Sequence, residues 1–210
     1  MVILVANQKG GCGKTTVSIQ LANYLATKGV ELLAIDTDFQ GSFYDRREDD
    51  KKTFPDNEIL YEVIKAEAEE IPKIIENVSQ VENAILLIDF PGKLDDDNLI
   101  HILMNADIIV IPFAYDYNTV ESTITFGMVL QKLKVPGKLF FLPNRIKSSA
   151  KYDTKEQVNE VFSNWGIVLD EIPDRVIFER GSTLEIGSEA EKVVKLPFDT
   201  LIEQGKILTF

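Results

Sequence analysis

Long apolar runs recur along the chain at 2–6 (VILVA), 31–36 (ELLAID), 84–90 (AILLIDF), 107–113 (DIIVIPF), 138–144 (KLFFLPN) and 166–173 (GIVLDEIP). Runs of this kind, apolar throughout and bounded by polar residues, mark strands buried on both faces, and such strands belong to parallel sheets covered by helices. Between them lie amphipathic segments near 15–28, 58–66, 71–79, 95–104, 119–134, 153–165 and 188–204, with Gly29 and Gly166 placed as stops. The alternation predicts an α/β fold, a doubly wound, mostly parallel sheet flanked by helices. The stretch DRREDDKK (45–52) is charged at every position and reads as a solvated loop. No repeat, low-complexity tract or Pro/Gly-rich linker interrupts the 210 residues, so one domain over 1–210 is expected.

The first apolar run leads into NQKGGCGKTT (7–16), and the next segment is helical. A phosphate-binding loop has the form G-x-x-x-x-G-K-[ST] between a strand and a helix, with backbone N–H groups cradling phosphates at the positive end of the helix. Gly13, Lys14 and Thr15 fill the end of that pattern. Lys14 is then expected to pair with β- and γ-phosphate oxygens, Thr15 to ligate Mg²⁺ and Thr16 to reach the α-phosphate. The loop departs from the pattern at its start, where Gln8 replaces the first glycine and Lys9 precedes the pair Gly10 and Gly11. Cys12 fills a variable position and reads as a tolerated small side chain in preference to a redox switch.

Two acidic segments follow, DTDFQGS (36–42) after the second run and DFPG (89–92) after the third. At the C-terminal ends of parallel strands such carboxylates sit beside a phosphate loop, where a metal and an attacking water must be organised. Taken alone, Asp36 or Asp38 reads equally well as a helix cap or turn residue.

The loop K-G-G-x-G-K-T-T resembles the deviant Walker A signature of the ParA/MinD superfamily of ATPases, a branch of the P-loop NTPases. AIDTDFQGS is similar to the family's Walker A′ segment, with Phe39 where proline is usual, and LLIDFPG to its Walker B, with Gly92 in place of a second proline. The resemblance implies that Lys9 reaches the phosphates of a partner in an ATP-sandwiched homodimer, in the manner of an arginine finger. It further implies that Asp38 orients the hydrolytic water, that Asp36 lies near the metal and that Asp89 holds Mg²⁺ through water. Asn144, in LPNRIKS, is the implied reader of the adenine edge, and IPDRVIFERGSTLEIG (172–187) is similar to the segment that packs near the base.

Composition narrows the choice of relative. Cys12 is the only cysteine, which excludes a disulfide within the chain and the branch that shares an iron–sulfur cluster between subunits. The N-terminus has no basic signal region, no run of 18 apolar residues occurs, and the tail DTLIEQGKILTF is not a basic amphipathic helix, so a cytoplasmic protein without membrane partner is expected. No tyrosine follows Tyr152, unlike the related tyrosine kinases with C-terminal tyrosine clusters. The pattern is most similar to a small ParA-type partition ATPase without N-terminal helix-turn-helix, since the first run begins at residue 2. Such a protein would use ATP and Mg²⁺, bind non-specific DNA as a dimer on the nucleoid, and answer to a ParB-like or other cargo adaptor.

Charge argues against the DNA step: the net charge is −12, and residues 151–210 hold seven Lys and Arg against twelve Asp and Glu. Arg175, Arg180, Lys192 and Lys195 are the cations that could gather into a DNA-binding patch, though a solvated helix face is the plainer reading. The alternative is a nucleotide-gated protein-positioning or conjugative-transfer switch that does not bind DNA directly. The lone His101, in LIHILM, reads as partly buried packing.

Overall fold

The computed structural model describes residues 1–38, 40–92 and 97–208. Phe39, and the first residues of the helix expected at 95–104, lie outside them. In chain order the elements are β1 (Val2–Val5), α1 (Lys14–Ala26), β2 (Leu32–Asp36), α2 (Ser42–Thr53), β3 (Glu62–Lys65), α3 (Ile71–Ser79), β4 (Ile85–Asp89) and α4 (Asp97–Met104). They continue with β5 (Ile108–Phe113), α5 (Tyr117–Leu133), β6 (Lys138–Pro143), α6 (Lys155–Ser163), β7 (Ile167–Val168), α7 (Val176–Glu179) and α8 (Ser188–Gly205).

The strands form a seven-stranded sheet in the order β3-β2-β4-β1-β5-β6-β7. Every pairing in it is parallel, as expected from the unbroken apolar runs. Alternate residues of β1 enter two separate cores: Ile3 and Val5 pack with α1, α2 and α8 on one face, Val2 and Leu4 with α3, α4, α5 and α6 on the other. The second core closes around aromatic rings, with Phe162 stacked on Phe141 at 4.5 Å and edge-on to Phe113 at 4.8 Å.

Two expectations are corrected. Residues 58–66 are not a helix; their C-terminal part is the edge strand β3, paired with β2 so that Val63 lies beside Ala34. The burial has period two, with Tyr61 and Val63 inside, whereas Ile59 and Leu60, which a helical reading needs on the core face, are 44% and 41% exposed. The charged stretch 45–52 is not a loop but the body of α2. Its helix shows in two features that composition hides: acid at the start (Asp45) and base at the end (Lys51, Lys52) complement the macrodipole, and Phe43 and Arg47, four apart, form one buried face. The sixth run is a strand only at Ile167–Val168, and the short helix α7 was not anticipated.

Removing the Phe162 ring deletes the centre of the aromatic cluster, and Phe162→Ala is expected to cost about 3–5 kcal/mol in urea unfolding. The neighbouring, exposed Val161→Ala is expected to stay within about 0.5 kcal/mol of wild type. Equal effects of the two changes would contradict the packing described.

Candidate active site

The loop that follows β1 is shaped by backbone conformation and then lashed down from three sides. Gly11 and Gly13 have φ of +79° and +90°, the left-handed region in which a side chain is strained. A Cβ on Gly13 would also lie 2.5 Å from Asn144 Nδ2, so this position before α1 admits glycine on both counts. Asn144 Nδ2 donates to Cys12 O at 2.9 Å, and Arg145 Nη1 to Gly11 O at 2.9 Å. On the other side, buried Asn7 donates to Pro112 O at 2.8 Å and Thr123 Oγ1 at 2.9 Å, while its Oδ1 accepts from Lys9 N at 3.1 Å. The Cys12 thiol donates to Lys9 O at 3.2 Å; burial pushes its pKa up against the pull of Lys14, so the thiolate is disfavoured.

Above the loop opens a cleft of about 740 Å³ whose walls include Gly10, Gly13, Lys14, Thr15, Thr16 and Asp38. The first backbone N–H groups of α1 have no partner within the helix and make this end electropositive, suited to a polyphosphate. Lys14 Nζ donates to Lys9 O at 3.3 Å. Gly92 stands close by, where a Cβ would be 3.3 Å from the Lys14 ammonium, so its lack of a side chain keeps the segment after β4 clear of that lysine.

The parallel register aligns the carboxylates: Asp36 is opposite Asp89, and Asp89 opposite Val5, the last residue of β1. Their surroundings then separate them. Asp36 is fully buried, and its oxygens accept from Asp38 N at 3.1 Å, Phe43 N at 2.8 Å and Tyr44 N at 3.0 Å. It orders the Asp38 loop and holds the first amides of α2, while its place opposite Asp89 keeps it next to that carboxylate. Asp89 accepts from Ser18 Oγ at 2.9 Å through one oxygen, while its other oxygen is buried without a partner. Desolvation raises its pKa from 3.8 to about 7, against the pull of the Thr15 and Ser18 hydroxyls and of Lys14 and with some help from Asp36. An orphaned, desolvated carboxylate oxygen beside a threonine hydroxyl fits a hard divalent cation with its waters. Asp38 lines the cleft, with one oxygen accepting from Gln40 N at 3.0 Å.

Beyond Gly13 and Thr16 lies a smaller cavity of about 140 Å³, walled by Asn144, Arg145, Pro173, Arg175 and Phe178. Asn144 lies on the wall of this cavity; its Nδ2 donates one hydrogen bond to Cys12 O, which leaves its second N–H and its oxygen for other partners. Lys9 is not among the residues lining the larger cleft. Among the described residues its ammonium has no hydrogen-bond or ion-pair partner.

The sequence model of the AAA_31 family, described as an AAA domain, matches residues 1–132, more than half of the chain. Chromosome-partitioning ATPase Soj of Thermus thermophilus is 58% identical over 40 residues, 19% of this chain and 16% of that protein. The chain belongs to this family, within the ParA/MinD superfamily of deviant Walker A ATPases. Maintenance of carboxysome distribution protein A of Gloeobacter kilaueensis is 32% identical over 112 residues, 53% of this chain and 48% of that protein. The ATP complex of a Cyanothece McdA variant has the same fold, with a TM-score of 0.70 and 19% identity, covering 100% of this chain and 97% of that one. The chain spans less than half the length of the curated relatives it matches, from 15% to 48%.

In this ParA/MinD member the cations considered for DNA do not form one free patch. Arg175 pairs with Glu189 at 3.6 Å and Lys195 with Asp199 at 2.9 Å, while Arg180 and Lys192 are exposed. His101 is exposed on α4, not packed. Of the described helices, none is long and apolar enough to cross a membrane. Asn7, Ser18 and Arg145 escaped the sequence reading. Ser18 alone had a signal, since it lies three residues after Thr15 on the same face of α1.

Because the Asp89 carboxyl titrates at about 7 in the fold and 3.8 in its absence, the protonated form favours the fold. The stabilisation is complete below the lower value and is lost as pH rises through the higher. In chelator and without nucleotide, Asp89→Asn is expected to melt well above wild type at about pH 8, the gap narrowing towards about pH 5. A gap that does not change with pH would refute the buried, unpaired carboxylate.

Proposed function

We propose that the chain is a cytoplasmic Mg²⁺-dependent ATPase switch of the ParA type, which dimerises on ATP, hydrolyses it slowly and serves DNA segregation with a ParB-like partner. The observation that carries this reading is the division of the two lysines: Lys14 lines the phosphate cleft, while Lys9, on the same loop, does not line it and has an unpartnered ammonium. A second copy facing the cleft would bring its own Lys9 to the transferring phosphoryl group, offsetting charge that Lys14 alone leaves uncompensated. The site is then complete only in the dimer.

Within one copy, Lys14 and the α1 N-terminus hold the phosphates, and Asp38 accepts a hydrogen bond from the attacking water and sets its line of approach. Thr15 and the free oxygen of Asp89 would hold Mg²⁺, which when bound neutralises phosphate charge. Asp36 acts through Asp38, as the residue that fixes its backbone. The smaller cavity, with Asn144 on its wall, would take the base.

A second reading, an ATP-gated dimer that positions a protein cargo without gripping DNA, draws support from the pairing of Arg175 and Lys195 with acids and from the net charge of −12. A relative named for carboxysome distribution supports the protein-cargo part of this reading.

Lys9→Ala is expected to retain nucleotide binding in calorimetry and to lose turnover by roughly 10³-fold. Turnover at the wild-type rate would remove the trans lysine from the mechanism. Asp38→Ala is expected to remain dimeric in ATP and monomeric in ADP by light scattering; a monomer in both would end the switch reading. The trapped dimer also separates the two functions. Binding to random duplex DNA that weakens steeply with salt supports partition, and no binding supports the positioning of protein cargo.

A further inference from the structure

The charged helix α2 conceals a side chain that the proposed ATPase mechanism does not use. Arg47 is fully buried, and among the described residues no carboxylate lies within ion-pair distance of it. Its guanidinium donates to Tyr61 O at 2.7 Å, Thr183 O at 2.6 Å and Thr183 Oγ1 at 3.2 Å, and lies 4.2 Å from the centre of the Tyr61 ring. Burying a guanidinium against neutral acceptors is a poor way to gain stability, because desolvation offsets most of what the bonds return. What such a group supplies is fixed geometry, its planar fork setting the acceptors' relative positions.

Those acceptors belong to the segment that leads out of the base-side cavity. Phe178 and Glu179 wall that cavity, and the chain from Glu179 to Thr183 is then held along α2. Arg46 donates to Glu179 O at 2.9 Å and also to Gly181 O. Asp50 accepts from Thr183 N at 2.7 Å and Thr183 Oγ1 at 2.8 Å. The other end of α2 belongs to the phosphate side. Asp38 and Ser42, the first residue of the helix, line the larger cleft, and Asp36 ties the Asp38 loop to the amides of Phe43 and Tyr44. From α1, Asn23 donates to Ser182 O and Glu185 O, each at 2.9 Å, and accepts from Tyr61 OH at 2.8 Å.

We infer that Arg47 is a positioning residue that couples the two ends of the nucleotide site, using α2 as a rigid lever between the Asp38 loop and, through Thr183, the wall of the base-side cavity. A change at the phosphate end that shifts the Asp38 loop moves the start of α2; Arg46, Arg47 and Asp50 carry that shift to 179–183. The fold supports such a lever because the helix is short, is anchored by polar groups at each end, and buries few other side chains than Phe43 and Arg47. The inference rests on the proposed nucleotide site.

The test compares wild type with Arg47→Met, which keeps the length and apolar volume of the side chain but removes the fork, and with Thr183→Val, which removes the hydroxyl shared by Arg47 and Asp50. Hydrogen exchange is followed for 38–44 and 176–187 with no nucleotide, with ADP and with a non-hydrolysable ATP analogue, alongside calorimetric affinities. In wild type the two segments are expected to gain protection together. In both variants 38–44 is expected to respond to the analogue as before while 176–187 no longer follows, and the preference for the analogue over ADP is expected to fall by about fivefold or more. A wild type that binds neither nucleotide overturns the nucleotide site itself, and the lever with it. A wild type that binds, with variants in which both segments still respond together and the preference is unchanged, overturns the lever alone. If Arg47→Met does not fold, Thr183→Val decides by the same criteria.

Discussion

The arrangement depends on one constraint, the parallel register that sets Asp36 and Asp89 side by side at the C-terminal edge of β2 and β4, level with the end of β1. Adjacent strands lie about 4.8 Å apart, so two carboxylates in one row repel unless each is compensated. Asp36 is compensated internally: the amides at the start of α2 and of Asp38 take up its charge, and in doing so shape the loop that carries Asp38. Asp89 is left incompletely satisfied, with the Ser18 hydroxyl bonded to one oxygen and only the pull of the nearby Thr15 hydroxyl and Lys14 besides. Residues of one type in one row are therefore pushed into opposite tasks, one building structure and one awaiting positive charge.

What the sequence disclosed follows from how strongly each feature was constrained. The central strands were legible because both faces are buried, and burial on both faces leaves an unbroken apolar run. The edge strand β3 has a burial pattern with one wholly buried position, Val63, and so lacked that signature. Helix α2 was hidden by composition: its fold-determining contacts are made by Asp36, outside the helix, and by an arginine that composition assigns to water. In the site, the loop glycines and Lys14 were visible because chain geometry around a phosphate demands them at fixed spacing. The supports act across the fold, Asn7 from the loop after β1 to β5 and α5, Arg145 from the end of β6 to that loop, and Ser18 from α1 to β4, and for Asn7 and Arg145 no local spacing announces such contacts. Asn144 lies on the wall of the smaller cavity, and its hydrogen bond to Cys12 O makes it part of the loop's scaffold, a role that no local spacing announces.

The same reasoning bears on the two functional readings. Two copies that each carry a net charge of −12 repel at long range, and bound nucleotide adds further negative charge. At physiological ionic strength that repulsion is screened beyond about 8 Å, so association must be won by contacts made at close quarters. In the proposed dimer Lys9 would supply such a contact only where a polyphosphate is there to receive it. Without the phosphates its approach to a partner's cleft would meet Lys14, a like charge, with no polyphosphate to draw the two cations together. On the proposed reading the net negative charge and Lys9 would reinforce each other: the first would suppress association by default, and the second would make closure conditional on nucleotide. An acidic chain is poorly suited to hold a polyanion over a broad face, but it is well suited to a dimer that must come apart when the phosphate charge that joined it is lost.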